Sequence, residues 1–160
     1  MNKQDGNSLK VEYMEPFIKA AYSVLARLSD GCMDTGPLNL AGTTFPSANT
    51  NIAIHIEGSL RGNLVYSMSE STAKKLASII IGGEIREFGS MMRQGLDRLG
   101  AMLIEEASRF LNEQGLDCRI GTPIIFQGLN VEFAAAAPAL SIPINTDAGQ
   151  LNVNVAVSKW

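Results

Sequence analysis

Few side chains in this 160-residue chain stand at spacings that support chemistry. Glu105 and Glu106 are adjacent carboxylates, but consecutive helical positions splay apart, and Arg109 lies within pairing range of both. A solvated charge cluster is the expectation, rather than a catalytic dyad. His55 is the only histidine. It shares a strand face with Glu57, and with no nucleophile spaced to meet it a surface histidine is expected. Cys32 and Cys118 are far apart and have no histidine-ligand pattern nearby, so they read as reduced structural thiols. Gly82-Gly83 ends a helix instead of opening one, which excludes a phosphate-cradling glycine loop. No cofactor and no metal site are expected. What remains is the solvent side of a long helix over 90–112, where Gln94, Arg98, Ala101, Met102, Glu105 and Arg109 recur on or near one face.

The elements that must position that face follow from the pattern. Met92, Leu96, Leu99, Leu103, Ala107 and Phe110 form an apolar stripe on the opposite side, spaced to pack on a sheet. A first helix is expected from Pro16, which costs nothing in a first turn. Phe17, Ala20, Ala21, Val24, Leu25 and Leu28 carry its apolar side, and Asp30-Gly31 stops it. Strands are expected over 37–45, 50–57 and 63–68; Ile52, Ile54 and Ile56 alternate with Ala53, His55 and Glu57. Ser69 caps a helix over 70–81, with Glu70 near its positive end and Gly82 as the stop. A last hairpin pairs 139–145 with 151–158 across Thr146-Asp147-Ala148-Gly149. Pro143 cannot donate to a ladder, so its strand is expected at an edge or bulged there.

These elements predict an α/β (α+β) fold, a mostly antiparallel sheet of about six strands with two to three long helices packed on it. Apolar content of 46% against 18% charged excludes a disordered chain, and one domain over 9–160 behind a loose tail at 1–8 is expected. A net charge of −3 argues against a nucleic-acid surface. No apolar run approaches the roughly 20 residues of a membrane helix and no signal peptide is evident, so a cytoplasmic protein is expected.

Four pieces in order resemble a known family. They are Lys10 with the helix lead-in to Ala21, the run Leu60-Arg61-Gly62 to Tyr66-Ser67-Met68-Ser69 with its helix ending at Gly82-Gly83, and the long helix with its internal Leu99-Gly100. The fourth comprises Gly121-Thr122-Pro123-Ile124-Ile125 with Ile142-Pro143-Ile144 through Gly149-Gln150. Their sequence and spacing resemble the CheC/CheX/FliY chemotaxis phosphatases, the CheX branch most closely. The resemblance implies a protein that meets a CheY-like response-regulator receiver domain and dimerises with itself. It also implies that a Glu-x-x-Asn motif on the long helix removes phosphate from the receiver's aspartate, the Asn orienting the attacking water and the Glu pairing with a receiver lysine.

In this chain the motif falls at Arg98-Leu99-Gly100-Ala101. Alanine offers neither donor nor acceptor for a water. Arginine would meet the receiver's lysine with like charge, about 4 kcal/mol of repulsion at 4 Å in a dielectric near 20. No other Glu-x-x-Asn occurs, and Asp147-x-x-Gln150 sits in a hairpin turn that lacks helical presentation. Arg98 then reads either as a solvated helix residue or as a contact to the receiver's acidic pocket or phosphoryl group. Three functions stand: a receiver-binding module that does not hydrolyse, an active phosphatase with a replaced mechanism, and a homomeric structural or interaction module.

Overall fold

The structure, a computed structural model, describes residues 11–31, 33–42, 44–46, 49–87, 89–127, 130–132 and 139–159. The expected tail at 1–8, Cys32 and Trp160 lie outside the described residues. In chain order the elements are α1 (Val11–Leu28), β1 (Asp34–Thr35), β2 (Asn39–Gly42), β3 (Thr44–Pro46), β4 (Thr50–Gly58), β5 (Leu60–Met68), α2 (Glu70–Ile81), α3 (Ser90–Glu113), β6 (Cys118–Ile120), β7 (Ile124–Gln127), β8 (Asn130–Glu132), β9 (Ala139–Thr146) and β10 (Gly149–Lys159).

Eight strands form one antiparallel sheet in the order β1-β9-β10-β5-β4-β6, with β2 also on β9 and β7 also on β4. The sheet is therefore six lanes wide, because each outer lane holds two short strands end to end. β3 and β8 pair separately as a two-stranded ribbon. One face of the sheet is apolar: Ile52, Ile54 and Ile56 of β4, Leu64, Tyr66 and Met68 of β5, and Leu151, Val153, Val155 and Val157 of β10 form one cluster with the buried sides of all three helices. Burial pushes the Tyr66 hydroxyl's pKa far above the ordinary 10.0. The other face carries a buried polar row. Ser67 Oγ donates to Asn51 Oδ1 at 2.8 Å and Asn154 Nδ2 donates to the Val65 carbonyl at 3.1 Å. Beside it sit Val65, Ala139 and Ala156.

α2 has the bounds its sequence predicts because both ends are fixed locally. The Ser69 hydroxyl accepts the Thr72 N–H at 3.1 Å, and Gly82 closes the helix at φ 87° with its N–H on the Ser78 carbonyl. α1 starts earlier than expected, so that Pro16 lies inside it. Proline there removes one helical hydrogen bond, a cost of about 3 kcal/mol. The extra turn buries Tyr13 and Met14, each contributing about 1.5–3 kcal/mol, which offsets that cost.

Pro143 corrects the expectation of an edge strand. β9 is an interior lane, with β10 on one side and β1 and β2 on the other. The break falls in the neighbour instead: β1 ends at Thr35 opposite Ile144, and β2 resumes at Asn39 opposite Ser141. Gly36 N–H donates to the Pro143 carbonyl at 2.9 Å, so the side of Pro143 lacking a donor faces the gap between the two short strands. The single strand expected over 37–45 is divided into β2, which pairs with β9, and part of β3, which pairs with β8 instead.

Candidate functional site

α3 is held by its apolar stripe and by two glycines. Met92, Leu96, Leu99, Leu103 and Ala107 are buried, as expected. Leu111, which the pattern does not include, is buried as well, and Phe110 packs against the same core. Phe110 is half-buried on the flank toward α1, where the Arg109 guanidinium lies 4.5 Å from its ring centroid and Lys19 Nζ 5.9 Å. A Cβ on Gly95 would lie 2.6 Å from Ala77 Cβ, and one on Gly100 would lie 2.9 Å from the Pro123 ring. The missing side chains let α3 approach α2 and the segment leading into β7. Leu99 and Gly100, the middle of the motif stretch, point down into the protein, and the flanking Arg98 and Ala101 point out.

Gln94, Arg98, Ala101 and Glu105 are all exposed on this outer face. Met102 is half-buried and packs against the core, which leaves only part of it available to a partner. Among the described residues, the side chains of Gln94, Arg98 and Glu105 enter no hydrogen bond or ion pair. Among the described residues these three polar side chains are left without a partner, whereas Arg109, expected near the same face, is paired.

Glu106 contrasts with Glu105. Its carboxylate accepts from Arg109 at 2.8 Å and from Ser23 Oγ of α1 at 3.2 Å, and Arg27 lies 3.6 Å away. The Arg109 hydrogen bond, against some desolvation, holds this carboxyl below its ordinary 4.5. Arg109 also pairs with Glu113 at 3.1 Å and makes no pair with Glu105. The adjacent carboxylates thus separate as their helical spacing requires: one ties α3 to α1, the other faces solvent.

The remaining candidates do not gather around α3's outer face. His55 is exposed on the sheet, with Nε2 3.2 Å from Glu57 Oε2 and Nδ1 3.3 Å from Asn63 Oδ1, and Arg119 closes on Glu57 at 3.2 Å. Cys118 is a free, half-buried thiol on β6. A cleft of about 510 Å³ between α1, α2, the segment after α2 and the β9–β10 turn is lined by Leu28, Lys74, Lys75, Ile79, Ile85 and Asp147. Ser29 Oγ donates to Asp147 at 2.6 Å there and lowers its pKa. Its lining comes from four separate segments, so no local sequence signal marks it. Among the described residues no cluster of three or more His, Cys, Asp or Glu could hold a metal ion, and no helix is long and apolar enough to cross a membrane.

No family model matches the chain. Among curated proteins, the CheY-P phosphatase CheX of Thermotoga maritima is 28% identical over 93 residues, 58% of this chain and 60% of that protein. The chain thus matches it over less than two thirds of its length. Among solved structures, the chemotaxis protein CheX of Desulfovibrio desulfuricans superposes with a TM-score of 0.82 at 18% identity, covering 92% of this chain and 100% of that one. The CheX of the CheX–CheY–BeF3–Mg2+ complex of Borrelia burgdorferi gives 0.76 at 23% identity over 94% and 100%. Thermotoga maritima FliY gives 0.63 at 13% over 92% and 91%. At these identities the structural likeness is one of fold.

Proposed function

We propose that this chain, whose sequence is similar to CheX and whose fold is that of CheX and FliY, is a receiver-binding signalling module of the CheC/CheX/FliY family that does not hydrolyse aspartyl phosphate. The observation that carries the reading is that Arg98 and Ala101, at the two motif positions, are both exposed on α3 with no partner among the described residues. Phosphoryl transfer depends on positioning and on electrostatics. A methyl group positions no water. The partner is a CheY-like receiver of the cytoplasm, approached by Gln94, Arg98, Ala101, Glu105 and the exposed part of Met102 within one domain over 9–160. A pull-down against the host's receiver domains tests it: capture of at least one receiver, without faster loss of its phosphate, is the expected result. No capture, in either phosphorylation state, would refute it.

The chain also pairs with itself. Among the described residues β2 is an outer strand, and Leu38 and Leu40 are exposed on or just before it, Leu40 at 67%. An outer strand with unpaired backbone groups and uncharged side chains is a template for a second copy. Light scattering at tens of micromolar is expected to give the mass of a dimer, and Leu40→Lys that of a monomer. A monomer mass for the wild type would refute the pairing.

A further inference from the structure

We infer that Arg98 is a phosphoryl-binding residue, through which the module recognises the phosphorylated receiver and prolongs the life of its phosphate; this rests on the receiver-binding reading above. Cations in this protein are mostly committed. Arg27, Lys74, Arg86, Arg109 and Arg119 are in ion pairs, Arg61 and Arg93 have partners, and Lys19 lies over Phe110. Among the described residues only Lys75, Arg98 and Lys159 have no partner, and Arg98 is the one on the outer face of α3.

Its surroundings favour a compact anion of several oxygens. Arg98 offers five N–H donors in a fixed fork, and the unpaired amide of Gln94 stands one turn away, about 5–6 Å between Cβ atoms. On the other side the next turn presents the Ala101 methyl and the exposed part of Met102, neither of which competes for the guanidinium's donors. Asp97 and Glu105 are exposed on the same helix and offset the long-range field of Arg98. Attraction is then short-range and set by hydrogen-bond geometry, which suits a phosphoryl group with three acceptor oxygens. A cation on the phosphoryl oxygens speeds hydrolysis when another group holds the water in line. Ala101 holds none, and a docked α3 restricts solvent access, so the bound phosphate persists.

The test measures binding of a captured receiver, with Mg2+, in the presence and absence of beryllofluoride as phosphoryl mimic. The beryllofluoride form is expected to bind at least tenfold tighter, about 1.4 kcal/mol. Arg98→Ala is expected to lose that preference, its affinities for the two forms of the receiver becoming equal. Arg98→Lys should recover only part of it, because an ammonium supplies charge without the fork. In the same series the receiver's phosphate should last longer with the wild-type protein than with Arg98→Ala. Equal affinity for the two forms, or a preference that survives Arg98→Ala, would overturn the inference and leave receiver binding standing. Absence of binding to either form would overturn both.

Discussion

Replacing Gly95 with alanine sets two effects of similar size against each other. In an exposed helix the change adds about 1 kcal/mol of stability, because glycine is the poorer helix former. Here the new methyl would lie 2.6 Å from Ala77 Cβ, 2.9 Å from Ala77 Cα and 3.1 Å from the Ala77 carbonyl oxygen. Carbon atoms need about 3.5–4.0 Å, so α2 and α3 must part by about 1 Å. Neither Cα nor carbonyl can rotate away, unlike the end of a long side chain. Overpacking of this kind costs about 1–3 kcal/mol. The balance is a loss of about 1 kcal/mol, read as a lower urea midpoint with an unchanged slope. Combining Gly95→Ala with Ala77→Gly removes only the 2.6 Å contact and leaves the Cα and carbonyl contacts in place, so the midpoint should stay below wild type. A single Gly95→Ala variant more stable than wild type by about 1 kcal/mol would refute the close packing of α2 on α3.

Three further outcomes test the scaffold. Leu99→Ala should cost about 2–5 kcal/mol and Arg98→Ala no more than about 0.5, in parallel denaturation curves, because one neighbour is fully buried and the other exposed. Ser69→Ala should cost about 0.5–2 kcal/mol by the same measurement, since it frees the Thr72 N–H. Glu106 is held below its ordinary 4.5 chiefly by the Arg109 hydrogen bond, so its contribution is complete above that value and is lost as pH falls through the lower folded value. Between about pH 7 and about pH 3, Glu106→Gln should therefore lose less stability than wild type; an equal loss would remove Glu106 from the account of acid unfolding.

The sequence makes legible what is decided nearby. α2 has its expected bounds because Ser69 and Gly82 fix its ends through bonds within a turn. The alternation of Ile52, Ile54 and Ile56, and the stripe from Met92 to Ala107, mark the buried faces because each is a simple period. Misread or missed residues were decided by distant partners. Phe110 is only half-buried, on a flank where Lys19 of α1 lies over its ring, and Leu111 beside it is fully buried. Pro143 sits in an interior lane because a strand more than a hundred residues away breaks opposite it. Gly95 and Gly100 look like poor helix formers until Ala77 and Pro123 arrive. The buried Asn51, Ser67 and Asn154 read as polar strand residues with nothing local to show that they find one another across three strands. On the outer face of α3 the sequence placed Gln94, Arg98, Ala101 and Glu105 in the open; the half-burial of Met102 depended on the core beneath it.

Loss of radiolabelled phosphate from a captured receiver tests the central claim most directly, with wild type, Arg98→Ala and the double variant Arg98→Glu with Ala101→Asn side by side. The wild type should leave the receiver's phosphate no shorter-lived than the receiver alone. The double variant should shorten that lifetime, since it places an acid and an amide on exposed positions one turn apart. Strong acceleration by the wild type, unchanged by Arg98→Ala, would contradict the account.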